Sequence, residues 1–419
     1  MSKLCFFDVL DPIFQKNPYP FYQALHNEDL IYCDKATGAY FVGEYAEVER
    51  ILKDPSFTTA PLSVRAQPVM RDRVLAQMEG KEHSEKRRAV LHGLSGQYFK
   101  KQYHPLIKNI SQELINPYLY KGSFDLVNEF GKDYAILVTL GILGLPKDNY
   151  KEIALWHKGV ADYITKLNLS EEEKNTSLQY SKNLSDFLLP IIDLRKIDPR
   201  DDLISLLCNL NNSENIMTDS EIIALCLNIL LAATEPADKS LAMLFKNLLE
   251  QPEVFDDVYN DRTKIRAAIE ETLRLNSPVQ LIPREASEDC IVGGISIKKG
   301  SIIFNMIGAA NRDPKVFHDP NLFILDRRAK NKEGFCKKRH LAFGTGMHAC
   351  LGAEFSLRQI EITANVILDS LKNLKISEEY HFSESGLYTR GPNSLLLTFD
   401  ALPKFNENSI GNTRVKELI

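Results

Sequence analysis

The chain has 419 residues, 44% of them apolar, and a formal net charge of -5. That length and apolar share allow a large buried core. The mild negative charge, without a basic tail or a basic run interleaved with aromatics, argues against a nucleic-acid partner. Seven cysteines, at positions 5, 33, 208, 226, 290, 336 and 350, form no Cys-x-x-Cys pair. Neither a disulfide framework nor a zinc site is expected, and a reducing cytosol is the natural compartment. Residues 1–7 are too short and too mixed for a signal peptide. No run approaches ~18 consecutive apolar residues, so no membrane span is expected.

In chain order, Tyr19 to Asn27 reads as a first helix, and Ile31 to Val42 as a short hairpin around Thr37-Gly38. Glu44 to Lys53 is helical and is ended by Asp54-Pro55. Residues 56–79 read as a long irregular stretch, a type of loop that is often functional. Glu82 to Leu94 is the next helix, with His83 and Arg87 four apart on one face. Beside Glu85, Lys86 and Arg88, these two residues alone have the pattern of a solvated charged face. From 105 to 210 the pattern is amphipathic helix, as in the spacing of Ile136, Leu140 and Leu143.

Ser220 to Leu249 is apolar on most faces and belongs at the centre of the fold. Thr218, Asp219 and Ser220 are N-cap candidates. Thr234, Glu235 and Asp238 interrupt the apolar run and are costly to bury without partners. Pro236 lacks an N–H and crowds the carbonyl of Ala232, which predicts a kink. Ile265 to Leu275 carries Glu271 and Arg274, three apart, a pair worth little on a surface. An extended run from Val279 to Arg284 follows, then strands from Ile291 to Asn311 with turns at Gly293-Gly294 and Lys299-Gly300. Ala353 to Leu374 reads as a helix, Ser385 to Pro392 as a turn-rich tip, and Ser394 to Phe399 as a last strand.

The stretch Phe343-Gly344-Thr345-Gly346-Met347-His348-Ala349-Cys350-Leu351-Gly352 leads into that late helix. Its glycines let a flat ligand approach the main chain. A cysteine at a helix start is exposed to unpaired N–H groups that favour a thiolate, although a lone cysteine is more often a small buried hydrophobe. The whole stretch resembles the cysteine loop of the cytochrome P450 family, Phe-x-x-Gly-x-(His/Arg)-x-Cys-x-Gly, with Phe343, Gly346, His348, Cys350 and Gly352 in every fixed place.

This resemblance implies one domain over 1–419, mainly helical with small β-sheets, in the triangular prism of that family. Haem b would lie between the central long helix and the cysteine-bearing helix, with Cys350 as the iron ligand. Phe343, Gly344, His348 and Gly352 would contact the cofactor. His83, Arg87 and Arg284 match the family's propionate-binding residues, and cationic donors suit carboxylates. Glu271, Arg274 and Arg327 match its structural ion cluster. The central helix departs from the family's (Ala/Gly)-Gly-x-(Asp/Glu)-Thr: it reads Ala232-Ala233-Thr234-Glu235-Pro236, which keeps the acid and loses the alcohol. Glu235, Thr234, Pro236 and Asp238 are the candidate catalytic residues. Glu235 and a ring N–H of the substrate are candidates to complete the proton path.

The loops around Ala66 to Met78, Leu231 to Asp238 and Ser385 to Pro392 resemble the cyclodipeptide-oxidising members of the family. That implies oxidation of a diketopiperazine, cyclo-(Leu-Leu), to pulcherriminic acid. Val64, Arg65, Met70, Ala232, Ala233, Leu281, Ile282, Leu387 and Tyr388 are expected against the substrate. NAD(P)H would act indirectly, through a ferredoxin or flavodoxin and its reductase. Lys332, Lys337, Lys338, Arg339, Lys86 and Arg88 read either as solvated charge or as the docking face for that donor, on a soluble, cytoplasmic monomer. A peroxygenase and a non-catalytic haem sensor are the alternatives. Relatives of peroxygenase type carry arginine before the proline, where this chain has Glu235.

Overall fold

The computed structural model describes residues 9, 11–27, 31–35, 37–166, 168–214, 216–325, 327 and 338–403. The helix Asp219–Leu249 runs through the largest apolar cluster. A capping box starts it: Glu221 N donates to Thr218 Oγ1 at 3.2 Å, and Thr218 N donates to Glu221 Oε2 at 3.0 Å. The helical assignment is unbroken across Pro236, so the expected kink does not end or divide it. By length and composition this helix would also suit a membrane span, which a search for consecutive apolar residues misses. Here it is wrapped by the helices Lys132–Leu143, Glu171–Ile197, Ile265–Leu275 and Ala353–Ser370.

The helix Ala353–Ser370 follows the cysteine loop and is fixed from behind by a buried polar contact. Thr363 Oγ1 donates to Tyr134 Oη at 2.6 Å and lies 3.0 Å from Ser111 Oγ. These bonds join it to the helices Lys132–Leu143 and His104–Ile115. A hydroxyl buried without such partners would destabilise the fold.

The largest sheet has the strand order Ile31–Cys33, Tyr40–Val42, Ile302–Met306, Leu281–Ala286, Phe57–Thr58. Tyr40 pairs with Ile303 in the one parallel pairing of this sheet, and Arg284 pairs with Ile303 across the antiparallel neighbour. This register fixes Arg284 at the sheet edge of the site. The expected hairpin at 31–42 is present. Three expectations change. Residues 56–79 hold the strand Phe57–Thr58 and the helix Ala60–Met70. Pro61 in its first turn and Pro68 near its end hide the helical pattern in the sequence, although proline is compatible with a first turn. The expected strand run to Asn311 ends at Met306 and gives way to the helix Ile307–Ala310. The cysteine-bearing helix ends at Ser370 rather than Leu374.

Glu271 is the hub of a buried ion cluster. It accepts from Arg274 Nε at 2.9 Å, Arg274 Nη2 at 2.8 Å, Arg327 Nε at 3.0 Å and the Ile324 N–H at 3.0 Å. Arg274 also donates to the carbonyls of Asn311, Pro320 and Leu322. The helix Ile265–Leu275 is thereby tied to the segment that precedes the cysteine loop. Glu271→Gln keeps the shape and removes the charge, leaving two guanidiniums without their carboxylate. The expected loss is about 3–5 kcal/mol of unfolding free energy, read as a shift of the denaturant midpoint. A loss below about 1 kcal/mol, the range of a surface pair, would contradict the hub role.

Candidate active site

The loop 343–352 is held by its own backbone. Cys350 N donates to Phe343 O at 2.8 Å, Gly344 N to Leu341 O at 2.8 Å, and Ala349 N to Gly346 O at 3.2 Å. Gly346 has φ 76°, and a Cβ there would stand 2.6 Å from Leu52 O. Only glycine permits both that backbone angle and that approach. Leu341 N donates to Asn311 Oδ1 at 2.6 Å, which joins the loop to the region of the ion cluster.

Cys350 lies three positions before the first residue of the helix Ala353–Ser370, and Gly352 is the N-cap. Its side chain is accessible and lines a cavity of about 440 Å³. Burial pushes the Cys350 thiol up, and the Gly352 N–H and Arg87 pull it down less strongly. This departs from the sequence expectation: the helix start alone does not make the thiolate, because desolvation outweighs one N–H and one distant guanidinium. A metal cation bound at sulfur does deprotonate a thiol.

Three nitrogen-rich side chains, His83, Arg87 and His348, line the same cavity, and Arg284 lies close enough to act on the His348 imidazole. His83 is buried on the helix Gly80–Leu94, with its ring 4.8 Å from that of His348. Arg87 is one turn further on, and Arg284 is buried on its strand, with Nη1 donating to Pro283 O at 2.9 Å. Among the described residues no carboxylate forms an ion pair with Arg87 or Arg284. His348 Nδ1 is buried without a hydrogen-bond partner. Burial, then Arg284, His83 and Arg87, push the His348 imidazole down to about 4. Unpaired buried charge is costly, so this cluster is complementary to a ligand with carboxylates beside a flat body.

The opposite lining comes from one face of the central helix. Leu225, Ile229, Ala232, Ala233, Pro236 and Ser240 line the cavity at helical spacing, with Glu235 at the border of that face. Thr234 and Asp238 are two residues to either side of Pro236 and so fall on the far side of the helix. Neither lines the cavity. The Thr234 hydroxyl sits 2.7 Å from His157 Nε2 and 3.0 Å from Leu230 O. Asp238 packs towards Gly131, where an added Cβ would lie 3.2 Å from Asp238 Cβ.

Glu235 is engaged twice at one oxygen, Oε2. It accepts from Lys239 Nζ at 3.1 Å and from Thr389 Oγ1 at 2.8 Å. Burial pushes its carboxyl up, but Lys239, the Thr389 bond and His157 together hold it below its ordinary value. The bond to Thr389 fastens the tip that brings Tyr388 into the cavity lining. Thr389 and Lys239 were not legible as site residues, because the Thr389 contact spans 154 positions of sequence.

Of the residues expected against substrate, Ala232, Ala233, Ile282 and Tyr388 line the cavity. The other five do not. Val64 is 76% exposed, and Arg65 donates to the Lys166 carbonyl. Met70 is buried in the main core. Leu281 and Leu387 belong to the cluster around Phe14 and Phe21 on the far side of the sheet. The alternation of side chains along a strand explains Leu281: its neighbour Ile282 takes the cavity side. The expected docking face also changes. Lys86 is buried and pairs with Glu221 at 2.6 Å and Glu82 at 2.8 Å. Lys338 pairs with Glu49 and lies 5.0 Å over the Tyr45 ring. Arg88 and Arg339 are exposed, and Lys332 and Lys337 lie outside the described residues.

A family model described as cytochrome P450 matches residues 118–379, and the chain belongs to that family. Its cofactor is haem b, and it is a P450 oxidoreductase. The chain is 48% identical over 397 residues to pulcherriminic acid synthase of Bacillus subtilis (strain 168), covering 94% of this chain and 98% of that protein. It is 26% identical to cytochrome P450 109 of Bacillus spizizenii, over 85% and 84% of the two chains. The crystal structure of CalO2 matches with a TM-score of 0.85 at 22% identity, covering 94% of this chain and 99% of that one. That of P450BioI with hexadec-9Z-enoic acid ligated acyl carrier protein matches with a TM-score of 0.83 at 26% identity, over 93% and 100%. The sulfur facing the cavity, the acid-free cationic rim and the orphaned His348 Nδ1 fit haem.

Asp238 supplies a test of the electrostatics around the central helix. Burial, with Glu235 adding to it and Lys239 opposing, pushes its carboxyl from 3.8 up to about 7. Between these values the folded state holds a proton that the unfolded chain has released, so stability falls as pH rises through about 7. Unfolding measured from about pH 5 to about pH 8 is expected to show this loss in the native protein. Asp238→Asn is expected to flatten it. An unchanged slope in the variant would contradict the assignment.

Proposed function

We propose that this chain is a cyclodipeptide-oxidising P450 that converts cyclo-(Leu-Leu) to pulcherriminic acid. The observation that carries the reading is the cavity shared by Cys350 and the Ala232–Pro236 face. It is apolar enough for leucine side chains and has a few polar groups for a ring amide. The 48% identity to a pulcherriminic acid synthase across almost the whole of both chains supports it. Bound to Cys350, haem b supplies the activation of dioxygen. His83, Arg87, Arg284 and His348 would hold its carboxylates, and Phe343, Gly344 and Gly352 would shape the loop that carries its sulfur ligand. The reaction aromatises the diketopiperazine ring and leaves two N-hydroxyl groups.

Pro236 stands where the family has a hydroxyl, so the proton path needs another member. Glu235, held at one oxygen by Lys239 and Thr389, is the protein's acid at that point. The ring N–H of bound substrate completes the path. A fatty-acid carboxylate, as in the peroxygenase alternative, would meet the Glu235 charge and be repelled. The chain works as one domain, a cytoplasmic monomer, with a reduced ferredoxin or flavodoxin as donor. Arg88 and Arg339 remain exposed for the docking of that donor.

The test is titration of the ferric holoprotein with cyclo-(Leu-Leu), followed by turnover with a competent redox partner. Cyclo-(Leu-Leu) is expected to change the iron spin state and to yield pulcherriminic acid by mass spectrometry. Glu235→Gln is expected to slow product formation roughly 10²-fold with substrate binding nearly unchanged. Pro236→Thr is expected to leave product per NAD(P)H no higher. Absence of any response to cyclodipeptides would overturn the substrate assignment, and a sharp rise in coupling with Pro236→Thr would overturn the substrate-assisted path.

A further inference from the structure

Asn228 is a polar residue on the cavity face of the central helix, seven positions before Glu235. At 3.6 residues per turn the two share nearly one line along the helix, roughly 10 Å apart. Leu225, Ile229 and Ala232 flank Asn228 within the same lining. Three other polar residues of the lining are already engaged. Thr165 Oγ1 donates to Ala161 O at 2.8 Å, Ser240 Oγ donates to Pro236 O at 2.6 Å, and Glu235 is bonded to Lys239 and Thr389. The Asn228 carboxamide has no hydrogen-bond partner among the described residues, and it opens to the cavity.

A carboxamide in apolar surroundings destabilises the protein unless a ligand satisfies it. It presents a donor and an acceptor side by side on one edge. The ligand edge that meets both at once carries N–H and C=O on the same side of one amide bond. A linear peptide is trans and points these groups in opposite directions. A fatty acid offers acceptors alone. A diketopiperazine ring holds both of its amides cis and offers the matching edge twice.

We propose that Asn228 selects the substrate, pairing its carboxamide edge to edge with one cis-amide of the diketopiperazine. This rests on the reading of the chain as a cyclodipeptide oxidase. The pairing leaves the second ring amide directed along the helix towards Glu235. Leu225 and Ile229 then receive an isobutyl side chain. Asn228 is thus a specificity-determining residue, and a hydrophobic pocket alone does not supply this discrimination.

Calorimetric titration of the holoprotein with cyclo-(Leu-Leu) and its doubly N-methylated analogue tests the pairing. The native protein is expected to bind the parent about 10- to 100-fold more tightly than the methylated ring. Asn228→Leu is expected to lose about that factor for the parent and to bind both rings alike, the pattern of a coupled pair. Asn228→Asp keeps the shape without the donor; it is expected to weaken the parent likewise, and it carries the test if the leucine variant does not fold. If the native protein binds the parent and either folded variant binds it as tightly, the pairing is wrong while the substrate assignment stands. If the native protein binds neither ring, the substrate assignment itself fails.

Discussion

The structure depends on presenting one sulfur to a cavity without letting the core close over it. Cys350 sits in a loop whose backbone bonds to itself, from Cys350 N to Phe343 O, and whose turn presses against Leu52 at Gly346. Behind it, Thr363 anchors the following helix to Tyr134 and Ser111. Before it, Asn311 receives the Leu341 N–H, and its own carbonyl is bonded to Arg274 of the ion cluster. The loop is therefore supported from three directions, and its geometry does not rely on the ligand it faces. Such support holds a reactive atom to the tolerance that chemistry needs.

The second constraint is electrostatic. His83, Arg87, Arg284 and His348 converge with no carboxylate of the described chain paired to the guanidiniums. Elsewhere the protein pairs its buried cations with care, as in Arg195 with Asp202 at 2.7 Å and Arg274 with Glu271 at 2.8 Å. The contrast marks the rim as a place kept for an anionic ligand. The central helix closes the cavity with an apolar face, interrupted by Asn228 and Glu235 at one angular position.

Much of this was legible in the sequence. The cysteine loop, His83 with Arg87, and Glu271 with Arg274 are short-range patterns, and their spacing fixes which residues can meet. The family and the fold follow from them. What sequence could not show was contact across the fold. Thr389 reaches Glu235 from the tip, and His157 holds Thr234 on the far side of the helix. The helical period could have placed Thr234 and Asp238 away from Pro236, and the same period would have singled out Asn228. The helix at 60–70 was hidden by its two prolines. Leu281 was misassigned because adjacent strand residues face opposite ways, and Leu387 because its packing against the cluster around Phe14 and Phe21 is another contact across the fold.

The account stands on Cys350 as the ligand of haem iron. The direct measurement is the absorption spectrum of the reduced carbon monoxide complex, taken for the native protein and for Cys350→Ala. The native protein is predicted to show the strongly red-shifted Soret band of a thiolate-ligated haem, and the variant to lack it. A Cys350→Ala protein that keeps that band would contradict the account.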